Sequence, residues 1–145
     1  MITQNRWQHI LGVARKCKEY AAKLKPNDSK FTEDMFLLGM LHDMGYEFME
    51  SNASHAAVGG EILKRNNYKY WSEVSLHGDE TVDNMSDELF ILNCADMSIG
   101  PNGEDFTFDE RLKEIASRFG IDAIAYKKCV IEVEELKADK RYKKL

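Results

Sequence analysis

Leu37-Leu38-Gly39-Met40-Leu41-His42-Asp43-Met44-Gly45 is the stretch that decides how this chain is read. An apolar run ends in an adjacent imidazole and carboxylate. Apolar surroundings make such a pair costly unless something compensates it. For a neighbouring histidine and aspartate the usual compensator is a divalent metal. Met35, Leu38 and Leu41 recur at helical spacing, and His42 continues that stripe. Thr32 is the expected N-cap, with Glu33 and Asp34 in the first turn. Gly45 is the expected stop.

Upstream, a helix is expected from about Thr3 to Leu24, with Trp7, Ile10, Leu11, Ala14, Cys17, Ala21 and Leu24 as its apolar face. His9 lies beside that face. Gly12 one turn on costs about 1 kcal/mol relative to alanine in a helix, which suggests a close approach. Lys25-Pro26-Asn27-Asp28-Ser29 reads as a loop. Downstream, Tyr46 to Ala53 is a polar connection, and Ser54 caps a helix to about Arg65. A short helix spans about Tyr70 to His77, an acidic turn follows, and Ser86 starts a helix through Ser98. Pro101-Asn102-Gly103 breaks the chain. Two last helices, Asp109 to Phe119 and Asp122 to about Ala138, flank Gly120, and the Lys-rich tail from Lys137 is prone to fraying. No segment alternates with a period of two. The expected fold is therefore an all-α, single-domain bundle of about seven helices over residues 1–145.

Composition agrees. A 145-residue chain with 43% apolar residues can build one core. A net charge of −5 gives no basic footprint for a nucleic-acid polymer or an anionic membrane. No run is long enough to span a membrane, and no signal peptide is visible. Cys17, Cys94 and Cys129 are odd in number and form no CxxC, so they read as buried thiols of a reducing cytoplasm.

The chain holds four histidines, His9, His42, His55 and His77. His55 shares a face with Val58, Gly59 and Ile62, and His77 follows Tyr70 and Val74. Asp96 is the most telling residue. It interrupts the stripe Leu89, Leu92, Ile99, where a carboxylate needs a partner. Any one of these side chains alone is more simply a hydrogen-bonded core residue. Together, on separate helices and near apolar faces, they suit one polar cluster inside a bundle. Imidazole and carboxylate ligands suit Zn, Mn, Fe, Ni or Co over Ca. Weaker signals are Arg6, Lys64, Arg65 and Lys69 as phosphate ligands, although charged helix positions are usually solvated. Gly59-Gly60 suits close helix packing or a substrate's approach. Asp79-Glu80 is read as an acidic surface turn, and Trp7 and Trp71 as core.

The order His…His-Asp…His…His…Asp resembles the HD-domain superfamily of metal-dependent phosphohydrolases. The matching pieces are Arg6-x-x-His9, Leu41-His42-Asp43-Met44-Gly45, His55-x-x-x-Gly59, His77 and Ala95-Asp96, over residues 6–100. The segments His77-Gly78, Asn84-Met85-Ser86, Ala95-Asp96-Met97 and Phe108 to Phe119 look like the branch that hydrolyses diadenosine tetraphosphate symmetrically. The resemblance implies an HD-type core over about 6–100, with further helices at about 108–138. It implies that His9, His42, Asp43 and Asp96 hold one metal and that Asp43 bridges to a second held by His55 and His77. A metal-activated water, oriented by Asp43, would attack a phosphate ester or anhydride of a small nucleotide-like substrate. The alternatives are a di-iron oxygenase with the same ligand order and a non-enzymatic nucleotide- or metal-binding regulator. A homodimer is compatible with the size. Where the tetraphosphate branch carries a lysine and an arginine, this chain has Tyr46-Glu47 and Asp79-Glu80. Little positive charge beside the cluster leads us to expect a substrate of low charge, such as a phosphomonoester.

Overall fold

The computed structural model describes residues 1–49 and 54–145. The helices are α1 (Gln4–Leu24), α2 (Ser29–Leu41), α3 (Gly45–Phe48), α4 (His55–Arg65), α5 (Trp71–Leu76), α6 (Asp87–Asp96), α7 (Phe108–Phe119) and α8 (Ile124–Ala138), followed by a 3₁₀ turn, Lys140–Lys144. Among the described residues there is no strand, only an isolated bridge between Ile99 and Asp105 across the Pro101-Asn102-Gly103 turn. The all-α bundle is as the hydrophobic pattern requires. No described helix is long and apolar enough to cross a membrane.

The centre of the bundle is α6. Every residue from Leu89 to Ala95 is buried, because this helix has apolar neighbours on both sides. On one side Ile91, Leu92 and Ala95 pack with Val13 and Cys17 of α1, Met35 and Leu38 of α2, and Val74 of α5. On the other, Phe90, Cys94 and Met97 pack with Phe108 and Ile115 of α7 and Val133 and Leu136 of α8. A helix apolar all round belongs in such a position. Its N-terminus is capped by Ser86, and that of α7 by a reciprocal capping box between Thr107 and Glu110.

Four sequence expectations are corrected. The N-cap of α2 is Asp28, whose carboxylate accepts from Phe31 N, so the helix begins one turn before Thr32. The Thr32 hydroxyl instead donates to the Asp28 carbonyl. Gly45 does not stop the chain in a left-handed turn; it opens the short helix α3. Trp7 is 42% exposed and is not a core residue. The C-terminal tail is docked. Arg141 bonds Asp139 and Asp87 and lies 4.6 Å over the Phe90 ring, and Tyr142 packs against Phe108. The part of the expected connection at residues 50–53 lies outside the described residues.

The requirement for glycine at position 45 comes from a close approach. A Cβ there would lie 1.9 Å from the His55 carbonyl oxygen and 2.8 Å from Gly59 N. The missing side chain lets α3 rest directly on the backbone of α4. Gly60 does the same for α5, since its Cβ would meet Ser75 Cβ at 2.6 Å. The Gly59-Gly60 pair therefore serves helix packing. Gly45→Ala should cost about 3 kcal/mol, the upper end of ordinary overpacking. The melting temperature should fall by roughly 10 °C. A melting temperature unchanged within error would show that α3 and α4 can separate without cost.

Candidate metal centre

The six sequence-selected residues converge. His9 lies inside α1. The other five sit at or beside helix ends: His42 and Asp43 after α2, His55 at the start of α4, His77 after α5 and Asp96 at the end of α6. His9, His42, Asp43 and His77 are buried. His42 is fully enclosed, at 0% exposure, and its Nε2 has no hydrogen-bond partner.

Three imidazoles are oriented by backbone carbonyls. His9 Nδ1 lies 2.9 Å from Gly100 O, His42 Nδ1 2.7 Å from Gly39 O and His77 Nδ1 2.6 Å from Val74 O. A carbonyl can only accept, so each Nδ1 carries the proton and donates. Each neutral ring then presents a bare Nε2 lone pair to the cluster. This is the outer-shell arrangement that fixes the tautomer of a metal-binding histidine.

Those lone pairs face other acceptors. His9 Nε2 is 2.9 Å from Asp96 Oδ1, and His42 Nε2 is 3.4 Å from Asp43 Oδ2 and 3.7 Å from Asp96 Oδ1. His55 Nε2 and His77 Nε2 approach to 3.1 Å. Facing lone pairs repel unless a proton or a cation lies between them. Ligand atoms about 2.1 Å from one metal sit roughly 3 Å from one another, so these separations suit metal ligands. Two overlapping sets, His9-His42-Asp96 and His42-Asp43-His77, have all their donor atoms within 4.8 Å. These residues could hold a divalent ion, and the mixed imidazole–carboxylate set fits a transition metal.

Asp43 divides its two oxygens. Oδ2 faces His9 at 3.6 Å and His42 at 3.4 Å; Oδ1 faces His55 at 3.3 Å and His77 at 3.5 Å. Burial pushes this carboxyl up, but the facing His42, His55 and His77 outweigh it and hold it well below the usual carboxylate range. Asp96 is likewise held well below, against burial, by His42 and His9. Burial lowers the pKa of His42 and His77, and the two aspartates more than reverse it. Without metal the cluster therefore retains protons that a metal must displace.

The weaker candidates fall in different places. Arg6 Nη1 donates to Asp43 Oδ2 at 2.9 Å, and the guanidinium stacks 4.0 Å over Tyr46, whose ring stacks 4.3 Å from His55. Arg6 thus braces the cluster. Lys64 lies 4.7 Å over the Trp71 ring, and Arg65 is an exposed partner of Glu61. Neither lines the cleft that opens on the cluster.

That cleft has a volume of about 480 Å³. His55, His77 and Asp96 of the cluster line it together with Arg111, Lys128 and Glu132, and Asp79 and Glu80 are also on its wall. A larger hollow of about 560 Å³ between residues 82–87 and 135–141 is lined by none of the six cluster residues. Sequence reasoning missed Arg111 and Glu132, although each interrupts an apolar stripe as Asp96 does. Arg111 falls between Phe108 and Ile115, and Glu132 between Cys129 and Leu136.

The family model of the HD domain matches residues 6–99, a span that holds all six cluster residues. The chain belongs to the HD domain family. No curated protein and no solved structure is significantly similar to it. The matched span ends just past α6, so α7 and α8, which carry Arg111, Lys128 and Glu132 of the cleft, lie beyond it.

If each Asp43 oxygen serves its own ion, His55 and His77 belong to the second. His55→Ala and His77→Ala should then each lower bound metal by about one ion per chain. Elemental analysis after loading and gel filtration checks this; unchanged content in both variants would make the centre mononuclear.

Proposed function

We propose that this HD domain protein is a metal-dependent phosphohydrolase acting on a phosphate ester or anhydride of a small, nucleotide-like substrate. The observation that carries the reading is the divided Asp43 carboxylate, with one oxygen toward His9 and His42 and the other toward His55 and His77. One carboxylate between two imidazole groups, beside a small-molecule-sized cleft, suits hydrolysis at a paired metal centre.

His9, His42, Asp43 and Asp96 would hold one divalent metal, and Asp43, His55 and His77 a second. Such ions lower the pKa of water towards roughly 7 and offset charge on phosphoryl oxygens. The chain's own residues supply the rest. The Gly39, Val74 and Gly100 carbonyls hold the Nδ1 protons, so the rings stay aimed at the centre. Arg6 fixes the Asp43 carboxylate. The buried positions of His9, His42 and Asp43 keep bulk water from the inner side, and the cleft admits a phosphate group beside His55 and His77.

Within that reading, the sequence pattern also resembles the branch that hydrolyses diadenosine tetraphosphate symmetrically. Asp79 and Glu80 on the cleft wall favour a substrate with fewer negative charges. The test is metal analysis of purified protein, then phosphate release from nucleoside monophosphates, diphosphates and dinucleoside tetraphosphates with Mn, Fe or Co. A higher kcat/KM on substrates of lower charge is expected. A clear preference for the tetraphosphate would restore the narrower branch. Oxygen uptake with an iron EPR signal and no phosphate release would replace hydrolysis with oxygenase chemistry.

A further inference from the structure

The α7–α8 wall of the cleft carries hydrogen-bonding groups that the protein leaves unused. The Arg111 guanidinium is 11% exposed and bonds Glu114 through Nη1, while its Nε is buried without a partner. Glu114 is shared, since its other oxygen takes Arg118 at 2.8 Å. Lys128, one turn before Glu132 on α8, lines the same cleft and has no ion pair among the described residues. Glu132 is 6% exposed and makes no hydrogen bond among the described residues. The neighbouring Asp79 carboxylate accepts from Thr81 N at 2.9 Å and from the Thr81 hydroxyl at 2.6 Å. His55, His77 and Asp96 line the same cleft.

We infer that Arg111 and Lys128, from α7 and α8, form a second-anion subsite, which binds a carboxylate or phosphate of the substrate in the cleft that also opens on the metal cluster. This rests on the phosphohydrolase reading and narrows its substrate class. The phosphoryl group to be cleaved lies at His55 and His77, and the remainder of the molecule carries one further anionic group. Two cations on a wall that also carries Asp79 and Glu80 suit at most one additional anion and not a long polyphosphate. Burial pushes Glu132 up to about 8. Near neutral pH it therefore adds an O–H donor to the subsite without a repelling charge. The guanidinium supplies positive charge and its remaining N–H donors to a carboxylate or phosphate oxygen, and the lysine a mobile point charge.

The experiment uses the full chain loaded with Mn, comparing wild type with Lys128→Gln, Arg111→Lys and the Arg111→Gln/Lys128→Gln double variant. Lys113→Gln, on an exposed position of α7 outside the cleft, is the control. The two probes are phenyl phosphate, which has a single phosphate, and adenosine diphosphate, which has two. The ratio of kcat/KM for adenosine diphosphate over phenyl phosphate should fall about 30-fold in the double variant, the loss expected for charge-assisted hydrogen bonds. It should fall about 5-fold in Lys128→Gln, a partly solvated ion pair, and stay at the wild-type value in Lys113→Gln. Calorimetric titration with α,β-methylene adenosine diphosphate, which cannot be cleaved between its phosphates, should show a matching loss of affinity. An unchanged ratio and unchanged affinity overturn the subsite. If neither ester is hydrolysed, the phosphohydrolase reading fails, and the calorimetric comparison still decides the subsite. If the double variant does not fold, Lys128→Gln decides it, because its exposed side chain is not part of the core.

Discussion

Asp43→Asn should empty the centre and reduce phosphate release at least roughly 10³-fold, because it removes the carboxylate that both proposed ions would share. The carboxylate stands between four imidazoles, at 3.3 to 3.6 Å from their Nε2 atoms. Asparagine keeps the shape but loses the charge that offsets a divalent ion. Its amide also turns two N–H donors toward lone pairs that a metal needs. Arg6, which donates to Asp43 Oδ2, would face an uncharged group and add to the repulsion of any cation. The fold should survive, since the core clusters on either side of α6 do not include Asp43. Elemental analysis should therefore show loss of metal from a protein with native circular dichroism. Metal content and activity equal to wild type would remove Asp43 from the centre and with it the basis for a paired site.

The sequence was informative where a polar residue broke an apolar period. His42 after Met35 and Leu38, and Asp96 after Leu89 and Leu92, were legible because a buried charge without a partner is costly. The same test, applied beyond the stretch that resembles a family, would have found Arg111 and Glu132. Other features could not be read locally. The start of α2 depended on whether Asp28 or Thr32 capped it, and both are good caps; the structure uses the earlier one. Gly45 fits a helix stop by type, yet its role is a contact with the His55 backbone, ten residues on. The tail looked free because its lysines are solvated. Its docking depends on Arg141 meeting Asp87, which is 54 residues away. The cleft's cations Arg111 and Lys128 come from α7 and α8, far along the chain from His42-Asp43 and His77, so local sequence around the histidines does not reveal them.

Glu132→Gln should stabilise the metal-free protein at pH 8 by roughly 4 kcal/mol and have little effect at pH 5. Burial is the main reason the Glu132 carboxyl is pushed up to about 8 from its ordinary 4.5, and the charges of Asp96, Glu80 and Glu135 add to it while Arg111 opposes them. Between those two pH values the folded state keeps a proton that the unfolded chain has released. Stability contributed by this residue is therefore present below pH 4.5 and drains away as pH rises to about 8. Glutamine keeps the size and a donor but cannot ionise, so its stability stays level across the window. The melting temperature of the variant should exceed that of wild type by roughly 10 °C at pH 8, with the two curves meeting near pH 5. Metal changes the outcome in a predictable direction. A divalent ion held by Asp96 offsets one of the charges that raise Glu132, so the gap at pH 8 should be smaller with Mn than with EDTA. Equal gaps at pH 5 and pH 8 would show that Glu132 is not a buried acid. A gap indifferent to metal would separate Glu132 electrostatically from the Asp96 side of the cleft.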